Sequence, residues 1–303
     1  MSPVCVILGP TASGKSALAH AVAKRVGATV LAVDSMTVYR GMDVGTAKPS
    51  AQERAEVDYR GLDLVDPDRE FSVAEWLNVA DAVLADVVGE GRPVIACGGT
   101  PLYYQSLFRG MFEGPPADPA FRQSLDPLDD DALKAQLAMV DPPAAERIHR
   151  NDRKRLVRAL EVHHLTGDTI TNLQQQWTTG PDRIESVRFG LNWPREALNR
   201  RINARTKQMI AAGWPEEVAA LLARYGDLST SARGAAGYDL LAKVARGGMK
   251  LGDAVEQIKI RTRQLAKRQM TWFRRFERVT WLPGDADLAD NVATVLKRWP
   301  DGE

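Results

Sequence analysis

The stretch GPTASGKS, Gly9 to Ser16, directly follows the apolar run PVCVIL and satisfies the spacing Gly-x-x-x-x-Gly-Lys-Ser. Residues of these types at this spacing can hold phosphate. The glycines let backbone N–H groups converge on phosphate oxygens at a helix N-terminus, and a lysine adds a point charge. Lys15 supplies that charge, and Ser16 is placed to hold Mg²⁺. None of these contacts needs a base or a sugar, so the loop identifies a diphosphate and leaves the rest of the ligand open. A bare strand–turn–helix junction is the competing reading; the position between an apolar strand and a helix start favours phosphate.

A second candidate group lies in ATVLAVD, residues 28–34, which reads as a strand ending in Asp34 and Ser35. Open α/β sheets place their chemistry at that strand edge. A carboxylate there could hold magnesium through water or act as a general base toward an acceptor, with a turn or helix-cap role as the plain alternative. The run PVIACGG ends its strand in Gly98-Gly99-Thr100 with no acid, which weakens a hydrolase reading. Two glycines followed by Thr100, Tyr103 and Tyr104 suggest close backbone approach to a planar or extended ligand, against a tight turn with core tyrosines. In NRRINARTKQM, Arg201 and Arg205 are four apart and share one helical face beside the apolar stripe Leu198, Ile202, Met209.

These groups need a scaffold, and the first hundred residues alternate β-rich runs with helical stretches as a doubly wound α/β domain does. Strands are predicted at Val4–Leu8, Ala28–Asp34, within Tyr59–Asp66, and at Pro93–Gly99. Helices are predicted at Ser16–Val26 and from Ser72 to about Gly89, where Ser72 and Glu75 have capping-box spacing. From Asp118 to about Trp177 the pattern is helical with Asp/Pro punctuation. A strand at Ser186–Trp193, helices near 195–212, 215–225, 236–246 and 252–278, and a last strand near VTWLP follow. The expected fold class is therefore α/β: a P-loop NTPase-like parallel sheet core, residues 1–114 and 187–303, carrying an inserted all-helical domain, residues 115–186.

The 303 residues have a formal net charge of +1, so any nucleic-acid surface must come from local clustering. Arg150, Arg153, Lys154, Arg155 and Arg158 form one such run, nearly free of acids. Lys259, Arg261, Arg263, Lys267, Arg268, Arg274 and Arg275 form another; a solvated face is the plainer reading of either. Cys5 and Cys97 sit in apolar runs, as core thiols do, and are too few for a zinc finger or Fe–S site. MSPVCVILGP has no cationic start and no apolar stretch approaches the ~20 residues of a spanning helix, so a cytoplasmic protein with no membrane partner is expected.

The stretches GPTASGKS, DSMTVYRGMDVGTAKPS, GGTPLYYQSLFRGM, RIHRNDRKRLVRALEV and RQLAKRQMTWFRR, in this order and spacing, resemble the bacterial tRNA dimethylallyltransferases. The likeness runs from about Val6 to Trp281, and GTAKP and AKRQMTWFR are far more specific than the phosphate loop. The resemblance implies transfer of a dimethylallyl group from dimethylallyl diphosphate to N6 of the adenosine just 3′ of the anticodon, releasing diphosphate. Such chains are often labelled ATP-binding, whereas here the loop would cradle the donor's diphosphate through Gly9, Pro10, Thr11, Ala12, Ser13, Gly14, Lys15 and Ser16, with Arg201 and Arg205 added. Asp34 matches the family's acidic position and would take the N6 proton, with Lys15, Thr11 and Arg205 as the other catalytic residues and Mg²⁺ on Ser16. For tRNA the resemblance points to Asp34, Ser35, Met36 and Thr37, to Thr100 and Arg122, and to Lys154, Arg155, Leu156, Val157 and Arg158. It adds Ala235, Ala236, Gly237, Tyr238, Asp239 and Leu240. Thr37, Pro101 and Arg150 depart from the family's usual residues. The anticodon stem-loop is the implied partner, its base flipped into the core, and a monomer is expected. An adenylate prenyltransferase acting on free AMP or ADP, a small-molecule P-loop kinase and a non-catalytic RNA-binding module are the rivals; the first has little use for a basic helical insertion.

Overall fold

The computed structural model describes residues 4–111, 114–174 and 181–299. Val4–Leu8 (β1), Thr29–Ala32 (β2), Tyr59–Arg60 (β3), Val94–Gly98 (β4), Ser186–Asn192 (β5) and Val279–Pro283 (β6) form a six-stranded sheet in the order β3-β2-β4-β1-β5-β6. Every pairing is parallel. All residues of β1, β2 and β4 are buried, as strands covered on both faces must be. Register sets Leu8 opposite Gly98 and Ala32 opposite Cys97. The chain therefore leaves β1, β2 and β4 at one edge, which is where Gly9, Asp34 and Gly99 follow.

The third strand is much shorter than the run Tyr59–Asp66. Gly61 and Asp63 take φ of 82° and 54°, which turns the chain out of the ladder after Arg60. A single bridge, Tyr39 to Val65, marks where it comes back.

Helix Lys15–Val26 starts after Gly14, whose φ of 93° suits glycine, and buries Leu18, Ala19, Val22 and Ala23 against Ile7, Ile95 and Cys97. Helix Val73–Gly89 has the capping box its sequence predicts: Ser72 accepts from the Glu75 amide, and the Glu75 carboxylate accepts from Ser72. Helix Leu288–Arg298, which the sequence reading did not include, adds Val292 and Val295 to the same core. Helices Arg195–Ala211 and Leu251–Phe273 press Leu198, Ile202 and Ala266 onto Ala12, bringing distant segments to the phosphate loop.

The chain divides into two compact units, one from the described residues up to Leu107 and from Ile184 onward, the other from Phe108 to Arg183. Among the described residues the second unit is helical. Leu133 and Leu137 pack with Ala144, Leu156, Ala159 and Val162 in its core. Asp118, Asp129, Asp141 and Asp152 each cap the start of a helix, which accounts for the acidic punctuation of this region. Trp177, the expected end of the helical run, lies outside the described residues. No helix among them is long and apolar enough to cross a membrane.

Candidate active site

The phosphate loop is held in its shape from outside. Ala12 has a φ of 63°, a left-handed conformation that costs an L-residue roughly 1 kcal/mol. Three contacts hold the turn: Arg201 Nε donates to the Ala12 carbonyl at 2.9 Å, Trp193 Nε1 to the Ser13 carbonyl at 2.9 Å, and the Thr11 amide to Gln269 Oε1 at 2.9 Å. The Arg201 guanidinium also lies over the Trp193 ring, 4.6 Å from its centre. Gln269 uses its other end to donate to the Gly99 carbonyl at 2.6 Å, so one buried amide ties the loop to the end of β4.

Packing decides which strand carries the acid. A Cβ on Gly98 would lie 1.9 Å from the Val33 carbonyl oxygen, so no side chain fits at that position. The carboxylate comes from the neighbouring strand end instead, as Asp34. Its Oδ1 accepts from the Met36 amide at 2.9 Å. Next to it, the Ser35 amide donates to Thr100 Oγ1 at 3.0 Å, joining the exits of β2 and β4. Asp34 Oδ2 and Lys15 Nζ both lie 3.5 Å from where a Cβ of Gly99 would stand. Glycine there leaves the acid, the ammonium and Gln269 a common space.

Desolvation pulls the Lys15 pKa down, and the charge of Arg205 adds to this while Cys97 and Asp34 oppose it. Desolvation likewise lowers Arg205, with Asp34 opposing and Arg201 adding. Among the described residues neither cation forms an ion pair. Burial pushes the Cys97 thiol up to about 12, so it is protonated beneath the Lys15 carbonyl, in keeping with a core thiol.

These groups surround a cavity of about 220 Å³. The phosphate loop contributes Thr11, Ala12, Lys15 and Ser16 to its lining, and Asp34, Met36, Thr37, Arg205, Ala235 and Ala236 line it too. The structure thus brings together the predicted loop, acid and arginine. It places other candidates elsewhere. Tyr103 and Tyr104 are core residues, the first stacked on Trp76 and the second donating to the Ile7 carbonyl at 3.0 Å, as in the alternative of a turn with core tyrosines. Tyr238 and Leu240 are buried, Gly237 is packed against Trp214, and Asp239 pairs with Arg261.

In the helical unit, Leu156 is fully buried in the core, so its side chain faces no partner. Arg122 makes a bidentate contact with Glu161 at 2.7 and 2.9 Å, and Arg158 shares that carboxylate at 2.5 Å. Arg150, Arg153 and Arg155 have Asp131, Asp130 and Asp152 within 3.7, 3.4 and 3.2 Å. The basic run is therefore less free of acids than its sequence implies, because the acids arrive from neighbouring turns and helices. Lys154 is exposed. In the second basic run, Lys259 is buried and paired with Glu256.

Sequence reasoning gave no role to Gln269 and Trp193, which hold the phosphate loop, or to Lys48, which lines the cavity. Gln269 and Lys48 lie inside the specific stretches RQLAKRQMTWFRR and GTAKP, which was the available signal.

The fold is a P-loop-type α/β fold, and its site sets Lys15, Arg205 and the Asp34 carboxylate on one cavity beside the phosphate loop. Comparison with known proteins names the family: the IPP transferase model matches residues 37–276 and an isopentenyl transferase model matches residues 2–60, and the chain belongs to the IPP transferase family. A tRNA dimethylallyltransferase of Moorella thermoacetica is 43% identical, the alignment covering 97% of this chain and 94% of that one. A tRNA isopentenylpyrophosphate transferase structure from Staphylococcus epidermidis superposes with a TM-score of 0.72 at 32% identity, covering 98% of both chains. Its counterpart from Bacillus halodurans gives 0.71 at 34% identity, covering 97% of this chain and 94% of that one.

Proposed function

We propose that this chain is a tRNA dimethylallyltransferase, moving a dimethylallyl group from its diphosphate to N6 of the adenosine 3′-adjacent to the anticodon. The observation that carries the reading is the meeting of Asp34, Lys15 and Arg205 at one cavity beside a phosphate loop, in a chain 43% identical to an enzyme of that name. An exocyclic adenine amine is a weak nucleophile because its lone pair is delocalised into the ring. Asp34 takes a proton from it as the C–N bond forms, with Oδ1 fixed by the Met36 amide. The diphosphate departs with growing negative charge, which the loop amides, Lys15 and Arg205 stabilise. The low dielectric that weakens both cations without a ligand makes them effective once an anion is present.

Mg²⁺ fits the residues present. No group of three or more His, Cys, Asp or Glu among the described residues could hold a metal alone. The Ser16 hydroxyl is a hard oxygen donor on the cavity, as suits an ion that takes its remaining ligands from phosphate and water. When bound, the ion would neutralise part of the diphosphate charge, with Ser16 holding it. We assign the helical unit, residues 115–186 by composition, to the anticodon arm, and take the protein to act as a cytoplasmic monomer.

The test is mass spectrometry of nucleosides from unmodified tRNA incubated with the protein, Mg²⁺ and dimethylallyl diphosphate. N6-dimethylallyl adenosine in the digest is the expected product. Prenylation of free AMP with none on tRNA would select the adenylate prenyltransferase instead.

A further inference from the structure

Residues 43–49 cross the cavity as a strap. Gly45, Thr46, Ala47, Lys48 and Pro49 line it on the inner side, and a second, more open cavity of about 870 Å³ lies against Asp43, Val44 and again Ala47 to Pro49. Arg205 and Met209 border both spaces. The strap is thus the partition between the space beside the phosphate loop and a wide opening. It has little regular structure of its own: the Ala47 amide bonds to Val44 and the Lys48 amide to Asp43 in a tight turn, with Ala47 at a φ of 52°.

Two side chains hold it. Lys48, its side chain 1% exposed, donates to the Tyr39 carbonyl at 2.5 Å and to Asp43 and Asp63 at 2.8 and 2.6 Å. Glu217, more than 170 residues away in sequence, does more. Its Oε2 accepts from the Asp43 and Val44 amides at 2.8 and 2.6 Å, and its Oε1 accepts from the Gly45 amide at 3.2 Å and from the Tyr238 hydroxyl at 2.6 Å. Consecutive amides converging on one carboxylate form a charge-assisted clamp, stronger than neutral hydrogen bonds of the same number. Gly45 is seated so closely that a Cβ would lie 2.1 Å from Trp214 Nε1 and 2.5 Å from the Tyr238 hydroxyl.

An allylic diphosphate whose carbon becomes cationic is open to capture by any water that reaches it. Resting on the function proposed above, we infer that Glu217 is a positioning residue that locks the 43–49 strap shut as the water barrier of the donor cavity. When the strap is loosened, the bond from C1 to the diphosphate oxygen still breaks. A water oxygen then bonds to C1 in place of the adenine nitrogen, its proton passes to solvent, and the products are dimethylallyl alcohol and diphosphate. Glu217 lines neither cavity, so its loss should change the fate of the donor more than its binding.

The measurement is the ratio of dimethylallyl alcohol to prenylated tRNA formed from labelled donor. In Glu217→Gln one acceptor oxygen becomes an amide donor facing N–H or O–H groups, and the ratio should rise about tenfold or more over the unsubstituted protein. Tyr238→Phe removes one of the four hydrogen bonds and leaves the three amides held, so its ratio should move by less than about threefold. If the unsubstituted protein makes no prenylated tRNA, the functional reading fails; if it does and folded Glu217→Gln keeps its ratio within about twofold, the water-barrier role fails. Should Glu217→Gln not fold, Glu217→Asp, too short to reach all three amides, is read against the same limits.

Discussion

The helical unit and the cavity of the α/β unit treat positive charge in opposite ways. In the helical unit Arg122 and Arg158 converge on the buried carboxylate of Glu161, and Arg150, Arg153 and Arg155 each have an aspartate nearby. In the α/β unit Lys15 and Arg205 form no ion pair among the described residues, and desolvation lowers their pKa values. Guanidiniums neutralised internally build a fold. Two desolvated cations that share only the Asp34 carboxylate beside a cavity are a standing cost that an anionic ligand removes. A run of basic residues in sequence does not tell these cases apart; the acids brought in by folding do.

The contrast can be broken most severely at the acid. Asp34→Asn should lower turnover by about 10³-fold or more while tRNA affinity changes little, in single-turnover kinetics paired with a binding titration. Arg205→Met should lower kcat/KM for the donor by about 10²-fold, yet leave thermal unfolding unchanged or slightly higher, because it removes a desolvated charge. A fall of several degrees would make Arg205 a structural cation like those of the helical unit. Glu161 should behave in the reverse sense. Burial opposes its ionisation, but hydrogen bonds from Arg122 and Arg158 and from the Asp118 amide hold its pKa to about 2, against an ordinary 4.5. Its contribution, roughly 3 kcal/mol, is fully present above about pH 4.5 and is lost as the pH falls toward 2. Glu161→Gln should therefore destabilise the protein at neutral pH by about that amount and flatten acid unfolding between those limits, as urea titrations would record. The smallest effect is expected at Lys154. Lys154→Ala should weaken tRNA binding severalfold and reduce its salt slope by about one, whereas Arg158→Ala should act mainly on stability.

Local rules carried much of this architecture. The spacing of GPTASGKS gave the loop between β1 and its helix, and the Ser72–Glu75 spacing gave a capping box; the i,i+4 pair placed Arg201 and Arg205 on one face. Each depends on neighbours within a turn or two. A strand does lie within Tyr59–Asp66, and its end at Arg60 was not legible because Asp63, a residue with no obligation to left-handed backbone, takes it up. Helix Leu288–Arg298 was missed because its buried side is only Asn291, Val292 and Val295, too narrow a stripe to stand out. Gln269, 258 residues from the Thr11 amide it accepts from, and Glu217, 172 or more from the strap it clamps, hold their partners only through tertiary packing. A glutamine in a basic helix and a glutamate in GWPEEV carry no local mark of that duty.

The crowding of Gly98 against the Val33 carbonyl bears on ancestry as well as on shape. Any mutation installing a carboxylate there must wedge apart two adjacent strands before it can confer anything, so intermediates along that route would be poorly folded. An acid of the nucleotide-hydrolysing kind therefore has no room at the end of β4 unless the strand beside it moves.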